Sequence, residues 1–159
     1  MKRRDREARR DGEKLNSLTE AIIGAAIKVH RELGPGLLES TYEACLCFEL
    51  RRQGFSVDRQ KPQPVPYDGL LIDCGYRLDL LVEDEVIVEL KAVAQMTRLD
   101  ERQLLTCLKL SDRVVGLLIN FNVVTLVEGV KRLVNGFPEE AAPGISSLRS
   151  QRALRLNQA

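Results

Sequence analysis

Two carboxylates and one lysine fall on neighbouring stretches of the chain that have the composition of β-strands. Residues 76–82 and 86–92 are rich in Val, Leu and Ile, and the acidic segment 83–85 between them is typical of a tight turn. The pattern therefore predicts a β-hairpin. In a hairpin closed by that turn, Asp79 lies directly opposite Glu89, with the two Cβ atoms about 4.5–5.5 Å apart.

Charged side chains share one predicted face of this hairpin, because residues two apart on a strand point the same way. Arg77 and Lys91 join Asp79 and Glu89 there, while the opposite face is almost wholly apolar. Two adjacent carboxylates repel each other unless a cation lies between them, and such hard oxygen ligands suit Mg²⁺ or Mn²⁺. A lysine nearby can orient a water or neutralise a phosphoryl oxygen. By itself the pattern fits phosphodiester hydrolysis or, more commonly, a salt-bridged sheet face.

Two helices are predicted before the hairpin, and they form the N-terminal face of the domain. Residues 17–20 have the sequence of a capping box, and apolar residues follow at helical spacing up to Leu33, where Gly34 and Pro35 end the first helix. A second helical pattern covers residues 38–53.

The rest of the chain predicts a mixed α/β fold. Prolines at 62, 64 and 66 indicate a strand at a sheet edge, and residues 67–69 indicate a turn. After the hairpin, a third helix capped by Thr97 or Asp100 runs to about Leu110, and residues 114–119 form a buried strand. This strand–helix–strand order implies parallel pairing of residues 86–92 with 114–121. Residues 123–134 add one more strand-like stretch.

The net charge of +1 conceals an uneven distribution of charge over the 159 residues. Residues 1–14 contain seven basic and four acidic residues, and residues 145–159 contain three arginines and no acid, so residues 15–144 carry −5. The composition excludes disordered, collagen-like and coiled-coil proteins. A chain of this length can bury a core without disulfides or metal.

Cysteine spacing and hydropathy predict a cytoplasmic protein that makes no membrane contact. The four cysteines, at 45, 47, 74 and 107, lack the spacing of a metal site and are expected to be buried free thiols in a reducing compartment. The basic N-terminus contains four acidic residues, and the apolar run 21–27 is too short to span a bilayer.

Several motifs occur together in one order and carry a resemblance to a known family. Residues 36–42 match the signature G-x-x-E-x-x-Y, in which Gly36, Glu39 and Tyr42 are the named positions. The segments 75–79 (GYRLD) and 88–92 (VELKA) follow. Over residues 18–135 the chain resembles the GxxExxY family of the PD-(D/E)XK nuclease superfamily. The resemblance implies a restriction-endonuclease-like αβββαβ core with a mixed central sheet flanked by helices.

The resemblance also implies roles for individual residues. Asp79 and Glu89 would bind Mg²⁺ or Mn²⁺ together with the Leu90 carbonyl, and Lys91 would be the catalytic lysine. Glu39 would be a further metal or water-positioning group, although a first-turn acid favoured by the helix dipole is an equal alternative.

Other positions are weaker candidates. Gln103 matches the glutamine of a Q-x-x-x-Y helix motif that approaches the lysine and the substrate phosphate, but Cys107 stands at the tyrosine position. Arg77 is either a phosphate contact or the salt-bridge partner of Glu89. Tyr42 and His30 are possible substrate contacts, and a structural role is the favoured alternative for both.

The sequence therefore predicts a divalent-metal-dependent nuclease in residues 17–137, with a basic N-terminal arm (1–16) and a basic C-terminal tail (138–159). Its partner would be nucleic acid, DNA being favoured over RNA, and a homodimer is left open. The alternative is a catalytically inactive nuclease-fold module that binds nucleic acid or protein.

Overall fold

A computed structural model describes residues 2–136 and confirms the predicted α/β fold, and the predicted tail 138–159 lies outside the described residues. The helices and strands run in this order: α1 (Lys2–Leu33), α2 (Glu39–Arg52), β1 (Val57–Pro62), β2 (Val65–Tyr67), β3 (Leu70–Ile72), β4 (Arg77–Val82), β5 (Val86–Lys91), α3 (Arg98–Ser111), β6 (Val115–Asn120), a 3₁₀ helix (Leu126–Gly129) and β7 (Val130–Val134).

Five strands form one mixed sheet in the order β1-β4-β5-β6-β7. Only β5 and β6 are parallel, and α3 connects them as the predicted crossover. The succession α2, β1, β4, β5, α3, β6 is the predicted αβββαβ order. β1, which ends at Pro62, is an edge strand of the large sheet, as predicted, and β2 and β3 form a separate two-stranded hairpin.

Helices cover both faces of the sheet and enclose two apolar cores. The larger core lies under α1 and α2 and includes Leu46, Leu80, Val88 and Phe121. The smaller core lies under α3 and includes Leu104. Because both faces are covered, charged side chains at the strand ends are partly shielded from water, as the sequence led us to expect.

The first helix is much longer than predicted, so the predicted capping box is wrong. α1 begins at Lys2, and the Thr19 hydroxyl donates back to the Asn16 carbonyl within the helix (2.9 Å) instead of capping a new one. The preceding residues are mostly Arg, Glu and Lys, whose helix propensity continues the helix through this point. Residues 3–14 of this helix are exposed.

All four cysteines are free thiols, as predicted, but the expectation that all are buried is confirmed only for Cys47 and Cys107. Cys45 is half-buried, and Cys74, between β3 and β4, is exposed. In residues 2–136, the helices include none with the length and apolarity needed to cross a membrane.

A buried tyrosine shapes the connection between α1 and α2. The Tyr42 hydroxyl donates to the Gly34 carbonyl and accepts a hydrogen bond from the Leu37 N–H (3.1 Å), while its ring stacks on Phe121 at 4.5 Å. Gly36 in the same turn has φ of 100°, a conformation that favours glycine. The tyrosine therefore fixes the turn that begins α2.

Replacing Tyr42 with Phe should lower the free energy of unfolding by about 1–3 kcal/mol, because the ring remains while both hydrogen bonds of the hydroxyl are lost. Urea denaturation measures the change. Tyr67→Phe is the matched control, since Tyr67 is exposed, and it should leave the stability unchanged. Equal stability of the two variants would contradict the role assigned to Tyr42.

Candidate active site

The β4–β5 hairpin opens at the position where the charged residues begin. The predicted register is confirmed next to the turn, up to the pair Leu80 and Val88. The ladder ends there, so Asp79 and Glu89 do not form the cross-strand pair that the sequence predicts. Instead, Asp79 Oδ2 accepts a hydrogen bond from the Leu90 N–H (2.9 Å), so that a side chain replaces a backbone acceptor.

The opening also changes which face the early residues of β4 occupy. Leu78 was predicted to share a face with Leu80, but it packs with Leu81 and Ile87 in the core under α3. Tyr76, predicted on the same face as Leu78, packs against that core too. Strict alternation fails next to Asp79, where the β4–β5 ladder ends and the β1–β4 ladder is interrupted.

Four carboxylates act on one another around this opening. Asp79 and Glu89 come from the two strands, and Glu39 and Glu43 come from successive turns of α2. Burial and then the charge of Asp79 raise the pKa of Glu89 to about 8. Burial also raises the pKa of Asp79, against the effect of its hydrogen bond from Leu90, and burial followed by the charge of Asp79 raises the pKa of Glu39.

Lys91 lies at the same end of β5 and has an acidic partner that the sequence did not identify. Its Nζ is 3.6 Å from Asp100 Oδ1, and both side chains are mostly buried. Asp100 is held in turn by the capping box at the start of α3, where its Oδ2 accepts from the Thr97 N–H (2.8 Å). The first turn of α3 therefore fixes the position of the lysine.

Hydrogen bonds from the end of β6 also fix the backbone at the end of β5. The buried Asn120 accepts a hydrogen bond from the Val93 N–H (3.1 Å) and donates to the Val93 carbonyl (2.9 Å). The Phe121 N–H donates to the Lys91 carbonyl (2.8 Å). These contacts hold the backbone on which the charged side chains stand.

Two further predicted residues lie near this end but make no polar side-chain contact with the cluster. Arg77 is exposed, and in the described part of the chain no salt bridge joins it to Glu89. Gln103 is exposed on α3, one turn beyond Asp100. The buried Cys107 follows one turn later, and its Sγ is 2.9 Å from the Tyr76 hydroxyl.

His30 and Tyr42 are both in the larger core and not on the surface of the site. His30 Nε2 is 2.8 Å from the Val123 carbonyl, and its ring lies beside Phe121. Tyr42 is fully buried. The structure therefore favours the structural role that the sequence left open for each of them.

Sequence reasoning missed Glu43, Gln60 and Asp100. Glu43 is one helical turn from Glu39, which is a signal that could have been used, and Asp100 was considered only as a helix cap. Nothing in the local sequence of β1 distinguishes Gln60, whose contact with Asp79 depends on the tertiary structure.

The residues present fit a divalent cation of the kind the sequence predicts. Glu89 Oε2 is buried and has no hydrogen-bond partner within residues 2–136. However, no three acidic, His or Cys side chains of that range converge closely enough to hold a metal ion, so Glu39 does not complete a three-carboxylate site. One or two carboxylates with several waters are the usual protein ligands of Mg²⁺.

The raised pKa of Glu89 predicts how stability depends on pH in the absence of metal. The unfolded chain releases this proton near pH 4.5 and the folded protein near pH 8, so ionisation of Glu89 lowers the free energy of unfolding progressively between these values. Urea denaturation in the presence of a chelator should show Glu89→Gln gaining stability relative to the wild type from pH 5 to pH 8.5. A constant difference between the two proteins would contradict the raised pKa.

One of three comparisons with known proteins identifies a family for this chain. The comparisons with curated proteins and with solved structures each gave no match. The family model described as the PD-(D/E)XK nuclease superfamily matches residues 16–133, about three quarters of the chain, and this range includes all the strands of the large sheet up to β7. The chain belongs to the PD-(D/E)XK nuclease superfamily.

Proposed function

We propose that the protein is a nuclease that hydrolyses phosphodiester bonds with Mg²⁺ or Mn²⁺, with DNA favoured over RNA, and that it belongs to the GxxExxY branch of its superfamily. The observation that carries the proposal is the buried, unpartnered oxygen of Glu89, next to Asp79 and Lys91 at the open end of the hairpin. A carboxylate in this position gains most by binding a cation.

Asp79, Glu89 and the Leu90 carbonyl would hold the cation. A bound divalent metal supplies Lewis acidity and lowers the pKa of a coordinated water. Lys91 stands at the end of β5, where its ammonium group can stabilise negative charge on a phosphoryl oxygen. Glu39, whose pKa responds to the charges of Asp79 and Lys91, would orient a water. Gln103 and Arg77 are exposed and would contact the substrate.

A non-catalytic binding module is the second candidate, and one observation favours it. Lys91 is paired with Asp100, so its charge is partly neutralised before any substrate binds. In this alternative the ion pair is structural and the fold serves for recognition.

The decisive experiment compares cleavage of plasmid, single-stranded DNA and RNA with Mg²⁺ or Mn²⁺. Asp79→Asn, Glu89→Gln and Lys91→Met should each lower the rate about 100-fold or more, since each removes a ligand or a charge at the reacting group. The matched controls Asp58→Asn and Lys131→Met change exposed residues outside the cluster and should keep the wild-type rate.

Cleavage that survives Asp79→Asn and Lys91→Met would contradict the assigned site. If the wild type cleaves none of the three substrates but binds one of them, the non-catalytic module is the correct function. A metal-dependent rise in melting temperature that Glu89→Gln abolishes would support the metal ligands independently of any substrate.

The basic arm forms a helical surface some distance from these residues. Arg6, Arg9 and Arg10 lie at helical spacing on one side of the exposed part of α1. Lys14 is 3.5 Å from Glu85, beside the β4–β5 turn, and the six residues from there to Lys91 span about 20 Å. We propose that this basic face binds phosphates of the same nucleic acid, so a duplex must exceed roughly six base pairs to reach both places.

Replacing Arg6, Arg9 and Arg10 together with Gln should weaken binding of a 30-base-pair duplex and reduce the slope of log affinity against log salt by up to about 3, because each lost phosphate contact contributes about 0.9. Binding of Mn²⁺ should not change. A capped six-base-pair hairpin is the control, and its affinity should be the same for the variant and the wild type. An unchanged salt slope with the long duplex would show that the arm does not bind nucleic acid.

A further inference from the structure

Gln60 has a strained backbone at the position in β1 that faces Asp79. Its φ is 54°, in the left-handed region that residues other than Gly, Asn and Asp rarely adopt. β1 and β4 pair on both sides of this point, at Arg59 with Leu80 and at Lys61 with Leu78, but Gln60 and Asp79 form no pair. Strain of this kind is retained where the surrounding structure uses it.

The side chain of Gln60 joins two of the carboxylates. Its Nε2 is 2.7 Å from Glu43 Oε2 and 3.2 Å from Asp79 Oδ1. An amide nitrogen carries two hydrogens, so one is available for each carboxylate. The other oxygen of Glu43 accepts from Arg59 Nε (2.6 Å), and this ion pair anchors the buried Glu43.

Asp79 is thereby held at both of its oxygens. Oδ2 accepts from the Leu90 N–H and Oδ1 accepts from Gln60, so the plane of the carboxylate is defined before any cation binds. Both donors are uncharged, so neither neutralises the carboxylate, and its remaining lone pairs are available to a ligand. A ligand oriented in this way loses less entropy on binding a metal than a free one.

We infer that Gln60 is a positioning residue that orients Asp79, through the Glu43–Gln60–Asp79 hydrogen bonds, for binding a divalent cation. The inference rests on the proposed function, since it assigns Asp79 the role of a metal ligand. It also gives a reason for the left-handed backbone at Gln60, which interrupts the ladder where the side chain must reach across to β4.

The test measures the affinity for Mn²⁺ by calorimetry, together with the melting temperature of the metal-free protein. Gln60→Ala removes the amide, and Gln60→Gly removes both the amide and the backbone strain. Both variants should bind Mn²⁺ about 10-fold or more weakly, because partners that orient a metal ligand typically contribute that much. The melting temperature of Gln60→Gly should equal or exceed that of the wild type, since the residue is exposed.

Gln53→Ala is the matched control, because Gln53 is also an exposed glutamine whose amide donates to a carboxylate, Glu49, but outside the cluster (3.3 Å). It should bind Mn²⁺ like the wild type. Asp79→Asn separates the possible failures. If Asp79→Asn weakens binding while both Gln60 variants stay within twofold of the wild type, the role of Gln60 is overturned and the metal site stands. If the wild type binds no Mn²⁺, the proposed metal site is overturned together with the inference.

Discussion

The hydrogen bond from the Leu90 N–H to the Asp79 carboxylate is the contact on which the site depends. A strand in the middle of a sheet must satisfy every backbone N–H, and separation of β4 from β5 would leave that of Leu90 unpaired in a buried place. The Asp79 side chain supplies the missing acceptor. The two strands can therefore diverge inside the fold, at the position where Glu89 and Lys91 follow on β5.

This arrangement has an electrostatic cost that the rest of the structure only partly offsets. Burial raises the pKa of both Asp79 and Glu89, the charge of Glu43 raises both further, and the charge of Glu39 raises that of Glu89. Arg59 neutralises Glu43 at one edge, and Lys91 offsets charge at the other. The excess negative charge that remains is part of the −5 carried by residues 15–144. Carboxylates that repel one another in the interior of a domain lower its stability, a cost that active sites commonly carry.

Features that depend on short-range patterns were predictable from the sequence, and those that depend on tertiary contacts were not. Alternation and turn chemistry predicted the hairpin, and the strand–helix–strand order predicted the parallel pair β5 and β6. The same alternation failed at Leu78. It assumes continuous pairing of β4 with β5, but this pairing extends from the turn only as far as Leu80. The start of α1 was missed because the residues before the capping-box sequence also favour a helix. The helix therefore continues through that sequence and does not begin there. The contacts of Lys91 with Asp100 and of Asp79 with Gln60 join segments that only the folded sheet brings together.

The G-x-x-E-x-x-Y segment combines two residues that shape the backbone, Gly36 and Tyr42, with one acid of the carboxylate cluster, Glu39. Gly36 allows the backbone to turn after α1. The buried Tyr42 hydroxyl holds that turn by hydrogen bonds to the Gly34 carbonyl and the Leu37 N–H. Together they determine where α2 begins, and Glu39 is its first residue. Of the three, only Glu39 belongs to the carboxylate cluster. The spacing from Gly36 to Glu39 is that of the connecting turn, and the spacing from Glu39 to Tyr42 is one turn of α2. The buried Tyr42 therefore acts on the carboxylate cluster indirectly, by fixing the start of the helix that carries Glu39.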